Sequence, residues 1–327
     1  MIYNAYVNLY IFWNNFVDQI FFNLLKTARP RQWLKNLSLA AALVFSGQLF
    51  HPQSLTITLW AIIVFSILTS SVYFFNDIVD IKKDQMHPFK KLRPVASGKL
   101  PIPTALFFSI SGIMVSLYLS FSLSFFFFLT CLFYFLLQVV YSFYLKNLVV
   151  FDVMSIAASF ILRVYAGAIL LNYHVSIWFL LCVTSLALFM AVGKRRAELV
   201  ILDKQSAPEH QKTLNKYPSN LLDNYLSMFA ASAWLSWALF TFFESTPVVL
   251  ESPALYHILP LTFSGTNKWL MMTIPLVIYG IMRYQSIAYQ GAKAESPERV
   301  LLSDKPLLGS VILWGIFVIW IIYGVGS

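Results

Sequence analysis

Averaged over windows of about 19 residues, apolar positions in this sequence gather into nine blocks, near residues 34–51, 55–75, 101–120, 123–143, 150–171, 175–193, 223–243, 269–288 and 306–325. Each approaches the roughly 20 residues that a helix needs to cross a bilayer. The closest pairs are separated only by short polar breaks, Phe50-His51-Pro52 and Asn172-Tyr173-His174. Ahead of the first block, Asn4, Asn8, Asn15, Gln19 and Asn23 recur at spacings of four or seven, which places them on one stripe of a helix whose other faces are apolar. This pattern predicts an amphipathic interfacial helix over residues 1–28, followed by a single nine-helix transmembrane domain over 29–327. Met1 to Leu25 carries no Lys or Arg, so no cleaved leader is expected.

Composition agrees with an all-α integral membrane protein. Hydrophobic residues make up 59% of the chain and charged residues 11%, whereas soluble domains carry about 25% charge. The charges test the helix order independently, because Lys and Arg accumulate in cytoplasmic loops. Of 23 basic residues, Lys268 alone falls in an opposite-side loop and Arg163 alone lies deep within a span rather than near its cytoplasmic end. That alternation predicts a cytoplasmic N-terminus, an outer C-terminus and long loops, 76–100, 194–222 and 289–305, that face the cytoplasm. The net charge of +9 then belongs to the face that meets anionic lipid and anionic substrates. Nucleic acid is not needed to explain it.

Candidate chemistry begins where the second block ends, in Asn76-Asp77-Ile78-Val79-Asp80-Ile81-Lys82-Lys83-Asp84. If the helix continues, Asn76, Asp80 and Asp84 stack at i, i+4 and i+8, and Asp77 flanks them. Like charges at that spacing call for a cation between them, and hard oxygen ligands with room for water and phosphate suit Mg²⁺. Such an ion would bridge a substrate diphosphate. Downstream, His87, Lys90 and Arg93 offer phosphate clamps, although they serve equally as topology charges. Arg163 lies inside a span, where a guanidinium is costly unless it faces a polar cavity or a partner. It should therefore point into the bundle, either braced by backbone carbonyls and Asp residues or contacting substrate. Asp152, about three turns earlier, can share its face. Cys131 and Cys182 read as packing residues, and the histidines form no zinc or general-base arrangement.

The stretch Asn76 to Asp84 resembles the first Asp-rich motif of the UbiA superfamily of intramembrane prenyltransferases. Further motifs are similar to the decaprenyl-phosphate phosphoribosyltransferase branch of that superfamily: Arg29-Pro-Arg31-Gln-Trp-Leu-Lys35-Asn36, His87-Pro-x-Lys90-x-x-Arg93-Pro, Tyr141 to Lys146 with Asp152, Phe160-x-x-Arg163-x-x-Ala166-Gly167, and Gly193-Lys194-Arg195-Arg196-Ala-Glu198. Arg283-Tyr284 with Pro297-Glu298 and Asp304-Lys305 looks like its last cytoplasmic segment. Together they cover roughly residues 28–325. Aromatic prenyltransferases of the superfamily carry a second Asp-rich motif in the sixth-to-seventh loop, where this chain has Lys194, Arg195 and Arg196 instead.

The resemblance implies a cytoplasm-facing cavity and transfer of a phosphoribosyl group from phosphoribosyl diphosphate to a polyprenyl phosphate, with Mg²⁺ as cofactor. Asn76, Asp80 and Asp84, helped by Asp77, would hold the ion on the leaving group. Lys90, Arg93, Lys194 and Arg195 would grip phosphates, with His87, Arg163 and Glu198 among the substrate contacts. Tyr141, Lys146 and Asp152 would line the sugar side, and Arg29, Arg31, Lys35 and Asn36 the lipid phosphate. Two alternatives stay open: an aromatic prenyltransferase using a prenyl diphosphate, and a non-catalytic lipid or ion transporter. The reading leaves room for a homo-oligomer.

Overall fold

The computed structural model describes residues 19–86, 89–203, 218–244, 269–290 and 297–324, and every regular element among them is helical. Residues 19–28 form α1. There follow α2 (Ala41–Phe45), α3 (Pro52–Val79), α4 (Ile81–Met86), α5 (Ile102–Leu123), α6 (Phe125–Phe143), α7 (Phe151–Leu170), α8 (Ile177–Asp203), α9 (Ser219–Phe243), α10 (Ile274–Gln290), α11 (Pro297–Ser303) and α12 (Lys305–Tyr323). Of these, α3, α5, α6, α7, α8, α9 and α12 are long and apolar enough to cross a membrane, seven among the described residues. The chain is a multi-pass membrane protein. Only the end of the expected N-terminal amphipathic helix is described; residues 1–18 lie outside the described set.

Two expected spans take a different form. The block at 34–51 is no continuous α-helix. Pro30–Ala40 is a 3-10 helix, α2 adds five residues, and the chain turns at Gly47 with φ +75°. Runs of 3-10 helix this long are uncommon, and side chains support this one. Trp33 Nε1 donates to Ser70 Oγ at 2.9 Å, and Asn36 Nδ2 donates to Ser66 Oγ at 2.9 Å and Thr69 Oγ1 at 3.3 Å. The block at 269–288 divides into a 3-10 helix, Trp269–Thr273, and the 17-residue α10. Pro275 sits in the first turn of α10, where its missing N–H is tolerated. A third difference extends a helix: α8 runs to Asp203, so Lys194, Arg195, Arg196 and Glu198 ride on a helix rather than in a loop. Hydropathy ends where charge begins, but the hydrogen-bond ladder does not.

The described chain forms two compact units. The first holds residues up to Asn36 together with Ala61–Gln138. Its apolar nucleus at the end of α3 consists of Phe74, Val95, Leu100 and Ala105, with Leu24, Ala28, Ile78 and Ile81 packed on it. On α5 and α6, Phe107, Met114, Tyr118, Phe126 and Phe133 are all more than half exposed. Soluble proteins rarely expose apolar surface on this scale, and lipid is the solvent that covers it.

The second unit comprises Leu37–Trp60 and Val139–Ser327. Without a hydrophobic drive between helices in lipid, small residues that permit close van der Waals contact organise such packing. A Cβ on Gly167 of α7 would meet Leu39 O at 1.9 Å, and one on Gly193 of α8 would meet the Tyr284 ring at 2.8 Å. Both glycines therefore carry close approaches. Phe45 packs its ring against Phe179, Trp237 and Phe240 at centroid distances of 4.9, 6.0 and 5.5 Å.

Candidate functional site

The helical continuity assumed for the Asp-rich segment holds through the junction of α3 and α4. Asp80 N–H donates to Asn76 O at 2.9 Å, and Asp84 N–H donates to Asp80 O at 2.8 Å. Asp77 and Asp84 are buried, at 2% and 4% exposure, while Asn76 and Asp80 are half-buried.

Between the two buried carboxylates lies a guanidinium. Arg93 Nη1 donates to Asp84 Oδ2 at 2.6 Å and to Asp77 Oδ1 at 3.3 Å. Arg29 Nη2 also donates to Asp77 Oδ1, and its head group lies 4.7 Å from the Tyr73 ring centroid, a cation–π contact. Arg93 is placed by a tight turn: Ser97 N–H donates to Arg93 O at 2.8 Å, Leu100 N–H donates to Pro94 O at 2.9 Å, and Gly98 supplies φ +75°. Val95 and Leu100 anchor that turn in the apolar nucleus. Burial pushes the Asp84 carboxyl above its ordinary pKa of 3.8, an effect that Arg93 partly offsets.

Among the described residues no group of three or more His, Cys, Asp or Glu side chains gathers at metal-binding spacing. With arginines at hand, Asp77 and Asp84 turn to them. The donor set nevertheless fits Mg²⁺, which is commonly held by one or two carboxylates plus substrate phosphates and water rather than by an all-protein cage.

The other predicted residues of this unit divide. Arg31 is exposed, and Lys35 Nζ donates to Gln32 Oε1 at 2.6 Å. Lys90 is half-buried, and His87 lies outside the described residues. Asn36 is fully buried, with its amide directed to α3 hydroxyls. Tyr73 was missed. Its signal was its place one turn before Asp77 on the same helix face.

The second unit assembles a separate charged node. Arg195 on α8 sets Nε 2.7 Å from Asp152 Oδ2, Nη1 2.6 Å from Glu198 Oε2, and Nη2 3.3 Å from the Tyr141 hydroxyl. Asp152 is 1% exposed and also accepts from Val153 N–H at 2.8 Å in the first turn of α7, where the helix dipole favours an anion. Just before it, Val150 adopts φ 71°, ψ −50°, a strained conformation for a β-branched residue. Arg195 thus organises carboxylates and a phenol. Lys146 and Lys194 are half-buried in this unit. Arg196 is turned to Asp223 at 2.6 Å and to the Tyr289 ring at 5.0 Å.

Arg163 is buried at 5% exposure, and its Nη1 donates to Ser159 O at 2.7 Å. Ser155 and Ser159, also buried, continue a polar stripe from Asp152 along one face of α7. The Arg163 bond returns the guanidinium to the backbone of its own helix. The serines at i+3 and i+7 from Asp152 were readable from spacing alone.

The sequence pattern of the UbiA prenyltransferase family matches residues 37–198. The chain is 30% identical over 304 residues to the decaprenyl-phosphate phosphoribosyltransferase of Corynebacterium glutamicum, covering 92% of this chain and 86% of that protein. The protein of the same name from Mycolicibacterium smegmatis is 30% identical over 297 residues, 89% of each chain. A UbiA homolog from Archaeoglobus fulgidus, solved with GPP and Mg²⁺, superposes with a TM-score of 0.63 at 20% identity, covering 93% of this chain and 99% of that one. That likeness speaks to the shared fold, and the identity over nearly the full length speaks to kinship. The chain belongs to the UbiA prenyltransferase family.

Proposed function

We propose that this protein transfers a 5-phosphoribosyl group from phosphoribosyl diphosphate to a polyprenyl phosphate and releases pyrophosphate. The observation that carries the reading is the 30% identity, over 92% of the chain, to a relative that bears the name of this transferase. The Arg195 node is in keeping with it, standing where aromatic prenyltransferases have a second acidic motif. The activity is assigned to residues 29–327 as a whole.

In the reaction a lipid phosphate oxygen forms a bond to the anomeric carbon. The bond from that carbon to the diphosphate oxygen breaks, and its electron pair leaves with pyrophosphate. No general base is required, because the lipid phosphate is already ionised near neutral pH. Asp77, Asp80 and Asp84, with Asn76, would hold Mg²⁺. When bound, that ion supplies charge neutralisation at the departing diphosphate. Arg93 and Lys90 would take phosphate oxygens, and Arg29, Arg31 and Lys35 the lipid phosphate. Asp152 and Tyr141, oriented by Arg195, would contact the ribose with Lys146, leaving Lys194 for phosphate.

The same reading holds nine spans, counting the 3-10 and α2 segment and α10 with its preceding turn. It places the N-terminus and the reacting groups on the cytoplasmic side of the plasma membrane.

Membranes containing the protein, incubated with phosphoribosyl diphosphate and a short polyprenyl phosphate, should yield a lipid heavier by one phosphoribosyl group on mass analysis. Labelled prenyl diphosphate in parallel should give no prenylated arene. Product in the second assay and none in the first would overturn the proposal.

A further inference from the structure

We propose that Arg93 is an internal counter-ion that makes divalent-cation binding at Asp77 and Asp84 conditional on an accompanying diphosphate. The proposal rests on the reading of this segment as a Mg²⁺-diphosphate site.

One nitrogen of Arg93 serves both carboxylates, at 2.6 Å from Asp84 and 3.3 Å from Asp77, and Arg29 adds a second positive charge at Asp77. The acids themselves are buried, and buried carboxylates need compensation. The arginines are different: their side chains remain 27% and 26% exposed, so their head groups have room to leave without dismantling the fold.

A divalent cation arriving alone meets carboxylates that are already neutralised, with a guanidinium repelling it. To bind, it must displace charge-assisted hydrogen bonds worth more than ordinary ones. Displaced into water, Arg93 regains little. A diphosphate changes both sides of this exchange. It offers Arg93 paired oxygens that match its fork, and it supplies oxygen ligands that complete the coordination of a hard cation. Cation and diphosphate should therefore each strengthen the other's binding, by the same factor in both directions. Arg93 acts as a positioning residue, moving from carboxylate to phosphate as the pair enters.

The test uses detergent-purified full-length protein and Mn²⁺ as a paramagnetic probe. Free Mn²⁺ is read by electron paramagnetic resonance with and without pyrophosphate, against a protein-free titration that accounts for Mn²⁺–pyrophosphate complexes. In the unsubstituted protein Mn²⁺ alone should bind weakly and pyrophosphate should tighten it. Arg93→Gln should bind Mn²⁺ alone about tenfold more tightly, the scale of a lost charged hydrogen bond, yet gain less from pyrophosphate. Arg93→Lys, which keeps the charge, should stay weak with Mn²⁺ alone. If Arg93→Gln fails to elute as a folded protein, Arg29→Gln should shift Mn²⁺ affinity in the same direction. The counter-ion role is overturned if the folded Gln variant binds Mn²⁺ alone no more tightly than the unsubstituted protein and both respond equally to pyrophosphate. No Mn²⁺ binding to the unsubstituted protein even with pyrophosphate would overturn the metal-diphosphate reading as well.

Discussion

Arg195 Nε lies 2.7 Å from Asp152 Oδ2, so an ion pair joins the charged C-terminal part of α8 to the first turn of α7. The same guanidinium also holds Glu198 and Tyr141, and Asp152 is 1% exposed. Removing one partner strands the other in a poorly solvated place. Arg195→Met should therefore lower stability by about 3–5 kcal/mol, the usual penalty for a buried unpaired charge. Arg195→Met combined with Asp152→Asn should recover much of the melting temperature in detergent without recovering transferase activity. Full recovery of activity in the double variant would make the node purely structural.

Asp80 sits between Asn76 and Asp84 on a continuous helical ladder. Replacing it with Ala should reduce pyrophosphate release by on the order of a hundredfold, as expected when an electrostatic contributor to a charged transition state is removed. The fold should survive, since Asp80 is only half-buried. An Asp80→Ala protein that turns over normally with saturating Mg²⁺ would exclude this carboxylate from the site.

Asp84 carries a raised pKa because burial disfavours its charged form. A carboxyl whose folded pKa exceeds its unfolded value of 3.8 stabilises the fold below that value, and the contribution is lost as pH rises through the folded pKa. The ionised form is thus a liability to the fold. Asp84→Asn should melt no lower than the parent at pH 7, and its advantage should shrink as pH falls toward the carboxylate range. Activity should show the opposite preference: protonating Asp84 removes a cation ligand, so the Mg²⁺ requirement should rise on the acid side. Melting curves and Mg²⁺ titrations across pH check both signs.

Gly167 lets α7 approach the backbone of Leu39 so closely that a Cβ would lie 1.9 Å from its carbonyl oxygen. No flexible side chain is there to yield. Gly167→Ala should cost at least about 1–3 kcal/mol by overpacking, visible as a lower melting temperature in detergent. An unchanged melting temperature would show that the contact opens freely.

Much of this architecture is written in one dimension. Blocks of apolar residues demand lipid, and the Asp77, Asp80 and Asp84 spacing marks a polar helix end; each depends on neighbours within a few turns. The partners of those acids come from farther away. Arg93 reaches Asp77 and Asp84 because a turn anchored by Val95 and Leu100 brings it back to α3, and Arg195 meets Asp152 only because two helices pack side by side. Hydropathy likewise read residues 34–51 as one helix, while bonds from Trp33 and Asn36 to hydroxyls on α3 hold the segment as a tighter coil. Periodicity reports which face a side chain occupies. Which charge it meets there is settled by packing, since a buried carboxylate takes whichever cation the folded chain presents.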